Sequence, residues 1–203
     1  MKNILLLFCI FFFAACKSQG KREIPGKTNY QKSLNMMYMD ASQSPLKKRA
    51  LKKFKGLNFF PVDSSFIVQA TFIKTANAPI FRMATTTDRT PLYKEYGKLQ
   101  FVLKGMDCEL TVYQSQEGLK NLTYKDELFV PFTDDTSSET SYGGGRYMDI
   151  KTYDIKANRI ILNFNNTYNP YCAYNDNYSC PLVPSKNHLN VAVKAGVKKF
   201  KNH

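Results

Sequence analysis

The 203-residue chain has no tryptophan and only two histidines, His188 and the terminal His203. Imidazole chemistry therefore has one internal candidate, His188, beside Asn187, and no Gly-x-Ser-x-Gly elbow supplies a serine nucleophile. Gly143, Gly144 and Gly145 run consecutively, but no Lys-Ser/Thr ending turns them into a phosphate-cradling P-loop. Acids are scarce as well, with 16 Asp and Glu against 29 Lys and Arg and a formal charge of +13. Internal repeats and low-complexity stretches are missing. The only apolar run is far shorter than the roughly 20 residues needed to span a bilayer.

That run, Ile4 to Phe13, follows Lys2 and precedes Ala14-Ala15-Cys16. An early positive charge, about ten apolar residues and small residues before a cut site predict a secretory signal over residues 1–15. Cysteine directly after Ala14-Ala15 resembles the lipobox of bacterial lipoproteins, with Phe13 in place of the usual aliphatic residue. The resemblance implies that Cys16 is lipidated and becomes the mature N-terminus, which anchors the protein without spanning the membrane. Residues 16–27 then read as a polar tether and residues 28–203 as one domain. With no acid following Cys16, the expected location is the cell envelope, on the periplasmic side of the outer membrane. Export also removes nucleic acid as the partner for the basic excess. Lys17, Lys21, Arg22, Lys194, Lys198 and Lys199 could instead meet anionic headgroups, or form a solvated surface.

Cys108, Cys172 and Cys180 remain in the exported part. In an oxidising envelope Cys172 and Cys180 form the expected disulfide; a metal site using His188 is the rival, although structural zinc wants four ligands. Cys108 alternates with Leu110 and Val112 onto one strand face and reads as a small buried hydrophobe.

Helical spacing predicts two N-terminal helices, over 30–40 and over 45–54. For the second, Ser44 is the expected N-cap, Pro45 the first turn and Gly56 the stop. Beyond residue 58 the signal turns to β-branched and aromatic strands, over 65–73, 80–85, 98–104, 108–114, 127–132, 146–153, 159–165 and 189–194. Gly105 marks one hairpin turn, and residues 154–158 are expected to close a second. The fold expected is mainly β (α+β), an antiparallel barrel or sandwich of six to eight short strands.

Unusual residues collect in two segments, 129–149 and 162–187. In the first, Arg146 follows the glycines as a fork able to grip a carboxylate or phosphate; alternatively it pairs with Asp134, Asp135 or Asp149 in a bulged hairpin. Asp134 and Asp135 are the candidate catalytic acid and base, though adjacent strand residues face opposite ways. In the second, Asn163, Asn165, Tyr168, Asn169, Tyr174 and Asn187 either brace an irregular loop or line a polar pocket with Tyr142.

Several motifs in these segments are Pro131-Phe132-x-Asp134-x-Thr136, Thr140-x-Tyr142-Gly-Gly-Gly-Arg-Tyr147, Asn163-Phe164-Asn165 and Tyr168-Asn169-Pro170. With Cys172-Ala173-Tyr174, Cys180-Pro181-Leu182-x-Pro184 and Asn187-x-Leu189 they closely resemble a bacterial and archaeal family, domain-of-unknown-function family 1684. Weaker likeness lies in Ser44-Pro45-Leu46, Gly56-Leu57 and Phe60-Pro61-Val62-Asp63. Ser138 stands where the family tends to carry glycine. The resemblance implies a domain identity and no activity.

The functional expectation is thus an exported, lipid-anchored envelope protein that binds a small polar or anionic ligand or acts as an accessory. The candidate ligand residues are Tyr142, Gly144, Arg146, Asn165, Tyr168, Asn169 and Tyr174, with no metal and no assigned cofactor. The alternatives are a hydrolase using Asp134 or Asp135 with Arg146, a flavin-holding small barrel, and a structural subunit of an envelope complex.

Overall fold

A computed structural model describes residues 23–200. The signal, Cys16 and the tether as far as Arg22 lie outside these described residues.

The longest regular element is a hairpin. β3 (Leu92–Leu103) turns at Lys104-Gly105 into β4 (Met106–Ser115), and Leu103 faces Met106 across the turn. Lys104 and Gly105 have φ of 52° and 81°, the two left-handed residues of a turn whose twist matches its strands. Around this hairpin the sheet grows on both sides. β1 (Ile67–Lys74) lies against β3 and β7 (Arg159–Asn163) against β1. On the other flank β5 (Glu127–Asp134) follows β4, and β6 (Arg146–Lys151) follows β5. The order is β6-β5-β4-β3-β1-β7, with β2 (Ile80–Arg82) added to β3 and β8 (His188–Leu189) parallel to β5.

The mainly β expectation holds, with an architecture neither barrel nor sandwich. One antiparallel sheet curls around its own apolar face into a half-barrel, and its end strands β6 and β7 do not pair. The concave side is filled by Leu99, Leu110, Leu128, Phe132, Leu162 and Phe164, all less than 1% exposed. The expected second hairpin does not form, although both of its strands exist. After β6 a turn of 3-10 helix (Thr152–Asp154) redirects the chain; the Asp154 carboxylate accepts the Lys151 amide at 2.8 Å. β7 then joins β1 at the opposite end of the sheet. The last strand is also shorter than expected, two residues in place of six.

Two short helices cover one end. α1 (Asn29–Met39) is capped by Thr28, whose hydroxyl accepts the Gln31 amide. α2 (Lys48–Lys53) starts later than Ser44-Pro45 suggested, because the Ser44 hydroxyl donates to the Tyr38 carbonyl at 2.7 Å and closes off α1. The helices bury Tyr38, Leu46, Phe54 and Leu57 against Ala173, Tyr174 and Val197, a second core distinct from that of the sheet. Asn35, fully buried, ties them down: its amide donates to the Pro25 carbonyl at 2.8 Å, and its oxygen accepts the Leu57 amide at 2.7 Å.

Candidate functional site

Strand alternation decides the role of Arg146. On β6, Arg146, Met148 and Ile150 share the inward face while Tyr147 and Asp149 face out. The guanidinium is therefore driven into the core, where it is less than 1% exposed. It meets Asp134 at 2.7 Å and donates to the Val193 carbonyl at 2.8 Å and to the Ala195 carbonyl. The other carboxylate oxygen of Asp134 accepts the Thr136 amide at 2.7 Å and the Val193 amide at 3.2 Å. A buried charge survives only when so paired. Of the alternatives open in the sequence, the ion pair with Asp134 is the one adopted. Neither residue faces a ligand cavity, so both leave the list of binding and catalytic candidates. Burial presses the Arg146 pKa down while Asp134 opposes that shift. Gly145, at φ 87°, brings the strand in so close that a Cβ would stand 2.6 Å from the Phe132 carbonyl.

The asparagines brace. Asn165 donates to the Asp63 carbonyl at 2.9 Å and accepts its amide at 3.1 Å. Asn169 donates to the Lys198 carbonyl at 3.0 Å and to the Tyr174 hydroxyl at 3.2 Å. Asn187 stands in the β4–β5 ladder, beside a proline that cannot donate to it. It accepts the Thr111 amide at 2.9 Å and donates to the carbonyls of Thr111 and Pro131 at 2.9 and 2.7 Å.

The expected disulfide is absent from the structure: Cys172 and Cys180 are free thiols. The two still touch, with the Cys172 amide donating to the Cys180 sulfur at 3.1 Å and Tyr142 hydroxyl 3.9 Å from the Cys172 sulfur. The hydrogen bond between the two thiols lowers the pKa of Cys172 to about 7 and raises that of Cys180, a rise that the Cys172 amide opposes. His188, offered as a metal ligand, lies elsewhere, 3.0 Å from the Thr133 hydroxyl and 3.9 Å from Asp135. Gly144 is exposed, and Tyr174 is packed edge-on against Tyr38 in the helical core.

The cleft that does open lies between α1 and the outward face of β6. Its volume is about 440 Å³. Tyr30, Leu34 and Met37 of α1 form one wall, and Tyr147, Tyr168 and Tyr171 form much of the rest. An aromatic row leads across the sheet to it, with Phe129 edge-on to Tyr147 at 4.7 Å and Tyr147 edge-on to Tyr168 at 5.9 Å. Asp149 is the only acid among the described residues lining this cleft, and its Oδ2 accepts the Tyr168 hydroxyl at 2.5 Å. Although one edge of the carboxyl is open to solvent, protein atoms crowd the remainder. Burial pushes its pKa up to about 6; the Tyr168 hydrogen bond works against that shift, and Glu127 adds to it. Burial likewise raises the Tyr168 pKa, with Asp149 contributing.

A family described as a protein of unknown function (DUF1684) matches residues 52–198. The chain belongs to that family. An uncharacterized protein of Haloarcula marismortui, solved in solution by NMR, is 33% identical to the DUF1684 chain described here. The match covers 85% of this chain and 92% of that one, with a TM-score of 0.66. No curated protein is matched. The DUF1684 match contains the Arg146–Asp134 pair, the asparagine braces and the floor of the cleft. The α1 wall precedes it. Ser138 has a φ of 72°, a left-handed backbone that favours a residue without a Cβ.

Of the ligand-binding candidates read from the sequence, only Tyr168 lines the tyrosine cleft, which Cys180 of the expected disulfide also borders. Tyr30, Tyr147, Asp149 and Tyr171 line it without having been among those candidates. The signal that could have found Tyr147 and Asp149 is the same alternation that sends Arg146 inward.

Proposed function

We propose that this is an exported, lipid-anchored envelope protein whose β-domain binds a small neutral, polyhydroxylated ligand, such as a saccharide ring, in the tyrosine cleft. The observation that carries the binding reading is a lone carboxyl at the base of an aromatic-walled cleft. Aromatic rings stack on the apolar face of a sugar, and a carboxyl accepts or shares the hydrogens of its hydroxyl groups. The sign of the charges narrows the chemistry. Asp149 disfavours an anion at the base of the cleft, and the +13 excess repels a free cation at long range. A neutral ligand meets neither cost. Anchoring by lipid on Cys16 rests on the signal and lipobox pattern of residues 1–16, and a periplasm-facing outer-membrane location goes with it.

Binding is favoured over hydrolysis because the cleft presents one carboxyl, whereas cleavage of a glycosidic bond ordinarily uses two. Asp134 is sequestered with Arg146, and Asp135 lies on the surface near His188.

A thermal-shift screen with mono- and disaccharides tests the binding reading. Wild type is expected to gain about 2–4 °C at saturating ligand, as about 1 kcal/mol gives in a domain of this size. Asp149→Asn and Tyr168→Phe should lose at least half of that gain while their ligand-free midpoints stay within a few degrees of wild type. Equal shifts in wild type and both variants would remove the cleft as the site.

A further inference from the structure

A second concavity lies on the far side of Tyr174, between α2 and the C-terminal segment, with a volume of about 730 Å³. Lys47, Arg49, Lys53, Lys55, Lys198 and Lys199 line it, and no acid is among the described residues that do. The source is a local run: between Asp40 and Asp63 the chain has six cations and no acid. α2 sorts them. Leu46 and Phe54 are buried and Ala50 and Leu51 half-buried, while Lys47, Lys48, Arg49, Lys52, Lys53 and Lys55 are exposed. Lys47 meets Asp176 at 2.7 Å. A short basic element with its apolar side already packed on protein offers charge and little free apolar surface. It suits the plane of an anionic surface and does not insert.

The place where the tether joins the domain selects the partner. Pro25 lies over Gly56, so closely that a Cβ there would stand 2.7 Å from its ring, and Asn35 links the Pro25 carbonyl to the Leu57 amide. Lys55, Gly56 and Leu57 are themselves walls of the basic concavity. The chain preceding Glu23 thus leaves the domain at the rim of this face. Six residues separate Cys16 from Glu23, a span of at most about 25 Å when extended. A lipid on Cys16 would hold the six cations close to the bilayer, within a few Debye lengths of about 8 Å.

We infer that the α2 face is a membrane-docking surface that engages anionic phospholipid headgroups and orients the anchored domain with the tether rim toward the bilayer. The orientation rests on the lipid-anchor reading; the affinity of the face for anionic headgroups does not. Each cation brought to an anionic surface contributes roughly fivefold in binding.

The test uses residues 17–203, the mature chain without its lipidated cysteine, so that neither an acyl group nor the apolar run of residues 4–13 obscures the measurement, and follows co-sedimentation with vesicles. One set is pure phosphatidylcholine and another contains 30% phosphatidylglycerol, a fraction chosen on the order of a natural anionic leaflet. Binding should be at least tenfold tighter to the anionic vesicles and be lost in high salt. Lys52→Glu with Lys53→Glu should abolish that preference. Lys120→Glu with Lys125→Glu, two exposed lysines away from this face that give the same change in net charge, should reduce it no more than threefold. Equal loss in both pairs would overturn the proposal, as would tight binding to soluble polyphosphate without binding to vesicles. Circular dichroism of each pair confirms folding. Intact mass of the wild-type chain from membranes scores the lipid anchor separately, so either reading can fail alone.

Discussion

Arg146 shows how one side chain's chemistry is fixed by the face it occupies. Its guanidinium is enclosed by Asp134, Thr136 and the carbonyls of Val193 and Ala195. Removing it leaves the Asp134 carboxylate buried without its counter-charge. Arg146→Ala is therefore expected to cost about 3–5 kcal/mol, read as a shift in the urea midpoint. A double variant, Arg146→Met with Asp134→Leu, should recover much of that loss. Were Arg146 a ligand residue, the single variant would instead keep its stability and lose binding. Asp149 has the opposite situation, a carboxyl whose fold favours its proton. Its folded pKa of about 6 lies above the ordinary 3.8, so the stability it contributes is present below pH 4 and is lost as pH rises through 6. Asp149→Asn should match wild type in thermal midpoint near pH 4 and exceed it by about 2–4 °C at pH 7.5. A difference independent of pH would contradict the raised pKa. Both roles were within reach of the sequence. Met148 and Ile150 at two-residue spacing already place Arg146 with the core and Asp149 with solvent. The glycine run drew attention to a ligand grip that the strand phase rules out.

Elements whose partners are adjacent in the chain were the legible ones. The β3–β4 hairpin follows from Gly105 and from alternation on either side, and the helical period places α1. What local pattern could not reach was pairing between distant segments. β6 and β7 look like a hairpin because the strand pattern of the sequence breaks only over residues 154–158, yet each finds a better partner elsewhere in the sheet. Beyond the short β8 the backbone is held partly by side chains: the Val193 amide donates to the Asp134 carboxylate and its carbonyl accepts from Arg146. Asn187 does the same for the β4–β5 ladder at Pro131. It is fully buried and makes three hydrogen bonds there. Asn187→Leu should destabilise by about 2–4 kcal/mol, since several backbone groups lose their partner at once. Asn187→Asp should also be poorly tolerated, because a carboxylate cannot donate to the two carbonyls. Hydrogen exchange at the Thr111 amide gives a local readout, with protection expected to fall in both variants.

Across the whole molecule, an open half-barrel places its two candidate surfaces on different structural features. The outward face of β6, α1 and the 168–181 segment make the tyrosine cleft; the helical cap and the C-terminal segment make the basic one. Neither was visible as a site in the sequence, because Tyr30, Tyr147, Asp149 and Tyr171 are brought together from three segments by the packing of α1 on the 164–181 loop. The most direct test of the central claim is an amide chemical-shift titration of the protein with a saccharide ligand. Saturable perturbations are expected at Tyr30, Tyr147, Asp149, Tyr168 and Tyr171, with binding clearly weakened in Asp149→Asn. Perturbations centred on Arg146 and the glycine run, or a response unchanged in Asp149→Asn, would contradict that claim.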